Sequence, residues 1–574
     1  MLDRKKLVQV ALGNEPADLV LKNAEVFHVF TGEFLNADVA IVDGYIAGVG
    51  ENYTGITEID LSGKFLLPGY IDSHINLESS TLLPDEFARA AISNGTTTVI
   101  MDPHEIANVC GTAGIRFMLE ATERIPLNVY MTLPSCVPAS RLDTSGAILE
   151  ADDLKPILSH PRVLGLGEMM DFHGVLNLNE GVYAKLSMAD NILVEGHAPG
   201  LKDKTLMAYA AAGIRSDHEC TTPEQALQRL RAGMHLHLRE GTVSKNFMAL
   251  SEVINQDTAP YISFCADDIS AEELLKEGHI NKIVRMAISR KVPVATVLQI
   301  ATINTAKYYG LKDVGAIAPG YKADILVMDS QNVRMPRQVY KSGQLVCTDG
   351  VVVDIPKTVI PPEVMNTINI KGIRKEDLKI PMNGNMANVI GIVPYQVVTK
   401  HFKLQVAVKN GEVISDIEND ILKLAVFERH HGTGNVGLGL VKGLGLKSGA
   451  IASSIAHDSH NIIVAGTNDT DMILAVEEIS RIGGGIVIVE NGSILSCFPL
   501  PIAGLMTDLP AQEVADKQAE LREIAHSLGV YSFINPFLTL SFCSLPVIPA
   551  LKLTDQGLVL VATGKYIPVE CFEA

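Results

Sequence analysis

Between about residues 69 and 312 the chain repeats one pattern roughly eight times: an apolar, β-branched run followed by an amphipathic stretch. The clearest runs lie at 96–101, 127–132, 163–166, 192–197 and 261–265. Consecutive parallel strands need a crossover, usually a helix, so strand-then-helix repetition calls for a parallel sheet. Eight such units in about 245 residues have the size and rhythm of a (β/α)8 TIM barrel. The expected class is therefore α/β, with chemistry at the C-terminal ends of the strands.

The flanks of this segment read differently. Short strands at 18–26, 38–44 and 65–69 cannot close a core alone, and a matching set recurs at 315–328 and 344–353. We expect residues 1–68 plus 313–357 to build one small β-sandwich domain around the barrel segment 69–312. From 358 to 574 a third region carries its own signals: a glycine-rich stretch at 432–450, a helical pattern at 469–482 and a strand at 485–490. An additional C-terminal α/β domain is expected there.

Composition narrows the partners. Of 574 residues, 47 are basic and 66 acidic, a net charge of −19 that repels phosphate backbones, so nucleic acid is not expected. Apolar runs stay far short of the ~20 residues a membrane helix needs, and the first residues mix charges without an apolar core. No membrane partner and a cytoplasmic location are expected. The eight cysteines are scattered with no C-x-x-C pair, which fits reduced thiols inside apolar segments, Cys265 included.

Polar clusters follow the apolar runs. His74, Asn76 and Glu78 alternate after 65–69 and would face one way if the strand continued. Asp102-Pro103-His104-Glu105 follows the next run, then come Glu168, His197, Asp217-His218-Glu219 and Asp267-Asp268. Histidine with carboxylate is the ligand set of zinc, iron or manganese, and its recurrence after successive strands places it around one barrel mouth. His235 and His237 alternate on a strand-like stretch and read as core or surface histidines.

The stretch from Pro68 to Ser80, together with Asp267, resembles the amidohydrolase superfamily pattern. More narrowly, Asp102-Pro103-His104-Glu105, Gly167-Glu168, Glu195-Gly196-His197, Ser216-Asp217-His218-Glu219, Arg239-Glu240-Gly241, Arg429-His430-His431 and His457-Asp458-Ser459-His460 resemble bacterial adenine deaminases. The resemblance spans nearly the whole chain. It implies hydrolytic deamination of adenine to hypoxanthine and ammonia at two divalent metal ions, manganese or iron in preference to zinc. It assigns His74, Asn76, Glu168, His197, His218 and Asp267 as metal contacts, Asp267 as general base and Glu168 as a second catalytic carboxylate. His104, Glu105, Glu219, Glu240 and Asp268 are left to substrate binding or to supporting hydrogen bonds.

Asn76 stands where the superfamily has a second histidine. A neutral amide oxygen is a weaker ligand than imidazole, so one metal is expected to be held less tightly, with Glu78 placed to compensate. Two other readings keep the same residues: hydrolysis of a cyclic amide or N-acyl group, or purine binding with reduced turnover. His430, His431, His457 and His460 lie in loops that either cap the barrel mouth or tie domains together. A homodimer acting on a small purine is the expected working form.

Overall fold

Each β-branched run in the middle of the chain forms a short parallel strand, and β2 is buried along its whole length, as a strand covered on both faces must be. The structure, a computed structural model, describes residues 3–330 and 335–571. The strands are β1 (Tyr70–Ile75), β2 (Thr96–Met101), β3 (Asn128–Leu133), β4 (Val163–Met169), β5 (Leu193–Gly196), β6 (Ser216–Asp217), β7 (His235–Arg239) and β8 (Ile262–Cys265). β1 to β5 pair in chain order in one parallel sheet, and β6 to β8 in a second. Two seams join them. Arg215 N–H donates to Val194 O at 2.9 Å between β5 and β6; Asp267 N–H donates to His74 O at 3.0 Å and Asn76 N–H to Asp267 O at 3.2 Å between β8 and β1. The barrel is closed, as the repeat predicts.

Local chemistry sets the helices between strands. Pro223–Arg231 begins where the Thr222 side chain accepts from Gln225 N–H, with proline in the first turn, where its missing N–H costs nothing. The same helix sends Arg229 inward to Asp217 at 2.7 Å. That ion pair anchors the end of β6, one residue before His218.

Strands from both flanks make one continuous nine-stranded sheet. Its seam pairs Phe65–Pro68 antiparallel with Ile325–Met328, Leu66 opposite Val327 and Leu67 opposite Leu326. Because side chains alternate across a strand, Leu66 and Val327 enter the sheet's own core with Val26, Val39 and Ile41, whereas Leu67 and Leu326 join the barrel's core.

Beyond it lies an eight-stranded, largely antiparallel sheet. The helix Asp469–Arg481, capped by Asn468, packs Met472, Val476 and Ile479 against Ala425, Phe427 and Val464 on one face. Leu424, Val426, Ile451 and Ile463 point the other way, into the same apolar cluster as the barrel residues Leu82, Phe87 and Val109. Barrel and C-terminal sheet thus share one core.

Candidate active site

The strands deliver their side chains to one mouth. Glu168 stands near the end of β4, and its carboxylate is the hub: His74 Nε2 lies 3.4 Å from it, His197 Nδ1 2.8 Å and His218 Nε2 3.2 Å. Asp267, just past β8, is 3.6 Å from His74 Nε2. Gly167 makes this arrangement possible, because a Cβ there would sit 2.0 Å from Asp102 Oδ2, the atom that accepts the Glu168 N–H at 3.1 Å. Every one of these residues is almost fully buried.

Charge organises the cluster. Burial opposes charging His74, but Asp267, Glu168 and Glu195 outweigh it and hold its pKa well above the usual histidine range. His197 rises to about 9 against the same burial penalty, through Glu219 and Glu168. Glu168 is driven well down, despite burial, by His218, His197 and His74. Asp267 is also lowered, Arg239 and His74 prevailing over burial, whereas its neighbour Asp268 is raised by burial and by the Asp267 charge.

Asn76 is drawn into the same group, its amide Nδ2 donating to Asp267 Oδ1 at 2.9 Å and to Asp268 Oδ1 at 3.0 Å. His104 lies 3.7 Å from Glu168 and 3.5 Å from Asp102. Glu219 is 3.5 Å from His218. Glu105 stands back from the cavity, 3.2 Å from His457 and 3.3 Å from His460.

Two expectations need correction. Glu240 turns away toward Lys282, 4.0 Å off, because it comes directly after Arg239, the last residue of β7, in extended backbone bridged to Lys245, where successive side chains face opposite ways. Glu78 does not face the mouth either: β1 ends at Ile75 and Leu77–Ser80 winds into a 3-10 turn, so Glu78 accepts from Ile106 N–H at the start of the helix His104–Ala121, which follows β2. Two residues went unassigned. Arg239 Nη1 contacts both Glu219 and Asp267 at 2.5 Å, and Glu195 lies 3.5 Å behind His74 Nδ1. Both share a strand face with a histidine two residues away, His237 or His197, and that spacing was the available signal. His235 and His237 themselves are core, bonded to Ser263 and Ser73 at 2.7 and 2.9 Å.

The C-terminal region roofs the mouth. A cavity is lined below by Asn76, His104, Glu168, His197, His218 and Asp267, and above by His457, Asp458, Val397, Phe542, Leu545 and Ile548. His430 and His431 are not part of this lining; they bond Ser459 O and Ser145 O at 2.6 and 2.9 Å and tie loops together. His74 Nε2, both nitrogens of His197 and Asn76 Oδ1 are buried without a hydrogen bond. Buried polar atoms are nearly always satisfied, so this set calls for a bound group, and imidazole with carboxylate is the donor set of a divalent metal ion.

Known proteins resemble this chain along nearly its whole length. Residues 65–354 match the amidohydrolase family and residues 396–565 the adenine deaminase C-terminal domain. The chain is 54% identical over 565 residues to adenine deaminase 2 of Carboxydothermus hydrogenoformans, covering 98% of this chain and 99% of that one. It is 45% identical over 564 residues to adenine deaminase of Clostridium acetobutylicum, covering 98% and 99%. A likeness of this depth runs through the barrel and its roof alike, and the chain belongs to the adenine deaminase family of amidohydrolases.

Proposed function

We propose that this enzyme hydrolyses adenine to hypoxanthine and ammonia with two divalent ions, manganese or iron in preference to zinc, held by His74, Asn76, Glu168, His197, His218 and Asp267. The observation that carries the reading is the roofed cavity, polar at its floor and apolar along Val397, Phe542, Leu545 and Ile548. A purine has the same division, with apolar faces and a polar edge. When bound, divalent ions would lower the pKa of water to about 7 and so supply a nucleophile at neutral pH.

The side chains handle the protons. Asp267, kept ionised by Arg239, accepts a proton from the attacking water. Glu168 passes protons toward the substrate, so that one water proton ends on the ring nitrogen beside C6 and the other on the departing amine. The C6–N bond breaks and the water oxygen remains as the carbonyl. Glu219 orients Arg239 and His218. We take the working form to be a homodimer in the cytoplasm, since two-fold dimers are the commonest closed assemblies of soluble proteins.

Purified protein, expressed with manganese or iron supplied, should release one ammonia and one hypoxanthine per adenine consumed. Turnover of hydantoins or N-acetylated sugars with adenine untouched would overturn the proposal, and tight adenine binding with no ammonia would assign a purine-binding role instead.

A further inference from the structure

A second histidine–carboxylate cluster lies outside the cavity floor, at the junction of barrel and C-terminal region. Glu105 sits in the first turn of the helix His104–Ala121, and His457 and His460 belong to the loop that follows the strand Ala450–Ser453. Glu105 Oε1 is 3.2 Å from His457 Nδ1, and Glu105 Oε2 is 3.3 Å from His460 Nε2. One carboxylate therefore spans two imidazoles, and one ligand atom from each residue falls within 4.8 Å of the others.

We propose that Glu105, His457 and His460 form a further divalent-cation site, separate from the one at Glu168. His460 is completely buried, and neither of its ring nitrogens makes a hydrogen bond; His457 Nε2 has none either. His237 and His279 also leave Nε2 without a hydrogen bond but bond through Nδ1 to Ser73 and Thr96, and other histidines with a packing role bond through Nε2 itself. His235, His401, His430 and His431 each bond through Nε2 to a hydroxyl, amide or carbonyl oxygen at 2.6 to 2.9 Å. His197, at the Glu168 cluster, shares the pattern of His460, with both nitrogens unbonded.

Distance and charge agree. Donor atoms on a tetrahedral zinc with bonds of about 2.0–2.1 Å are roughly 3.3 Å apart, which matches both separations above. Asp458 Oδ1 lies 3.6 Å from His457 Nδ1 and its Oδ2 is unpartnered, which adds anionic character. Arg429 is the neighbouring cation, and its donors are engaged by His460 O, Thr367 and Ala503 O. Two imidazoles and a carboxylate form an N2O set that zinc, iron and manganese all accept. Ser79 Oγ, 2.8 Å from Glu105 and 2.6 Å from Asp268, connects the site to Asn76 on the cavity floor. A cation here would fasten the loop whose His457 and Asp458 roof the cavity.

The test is metal counting on the full chain loaded with zinc(II) or manganese(II), with anomalous diffraction at the metal edge to locate each ion. We expect a peak between Glu105, His457 and His460, and His460→Ala should lose one equivalent per chain that His197→Ala retains. If His460→Ala does not fold, His457→Gln carries the same comparison. No peak at the cluster, or folded His460→Ala and Glu105→Gln with the metal content of the parent, would overturn the site. Adenine turnover reads out separately: its absence with the His460-dependent equivalent present defeats the proposed function and leaves this site standing, and the converse result does the reverse.

Discussion

Asp267 and Asp268 are adjacent in sequence and buried together, and their surroundings push them apart: Arg239 holds the first ionised while burial and its neighbour's charge favour a proton on the second. Asp267 also adopts φ 57°, a left-handed backbone rarely taken by residues other than glycine, and the hydrogen bonds that close β8 onto β1 keep it there. Asp267→Asn should lower adenine turnover at least ~100-fold, the scale of a lost general base, because the amide cannot accept the proton. Arg239 keeps Glu219 as its partner, so the thermal melting point should move little. A variant retaining more than a tenth of the parental kcat would remove Asp267 from that role. His74, Glu168, His197, His218 and Asp267 were legible from sequence because each closes an apolar run with a ligand-type side chain. Arg239 was hidden because guanidinium is not a ligand, and Glu240, beside it, carried the expected chemistry but faces the other way.

At the scale of elements, the loop after β3 and the loop holding His460 meet through one buried carboxyl. Ser459 Oγ donates to Asp143 Oδ2. Burial raises the Asp143 pKa to about 8 against the pull of that hydrogen bond, with Asp555 and Asp458 adding to the rise. In the unfolded chain the same group titrates near 3.9. The folded protein therefore keeps a proton that the unfolded chain releases, and stability falls as pH rises from about 4 to about 8, then levels off. Asp143→Asn has no proton to lose. Its unfolding free energy should gain on the parent's across that interval, by on the order of a few kcal/mol, and stay parallel above it. A gap that is flat with pH would show that Asp143 is ionised in the folded state. Element types were readable where the pattern is local, as in the helix read at 469–482 and found at Asp469–Arg481. Pairing order in the C-terminal sheet was not: Val436–Lys442 lies between Met386–Ile392 and Ile421–Phe427, an arrangement set by which faces are buried rather than by any one strand.

For the whole molecule, the shared core makes the C-terminal region part of the barrel's interior. Glu86 Oε2 accepts from Ala511 N–H at 3.0 Å, Arg522 reaches Glu272 at 2.6 Å, and Thr144 bonds Asp555 through backbone and side chain at 2.9 and 2.7 Å. A chain ending at residue 357 would expose the apolar surface around Leu82 and Phe87 and unroof the cavity. It should be insoluble or inactive in expression and ammonia-release assays; a monomeric fragment with unchanged kinetics would show that the roof does nothing for catalysis. The position of that roof in the chain also sets a clock. About 280 residues separate Asp267 from Ile548. At about 5–20 residues per second the ribosome needs roughly 14 to 56 s to make them. During that interval Phe542, Leu545 and Ile548 do not yet exist, so anything the strand ends bind before then is bound without that side of the apolar lid.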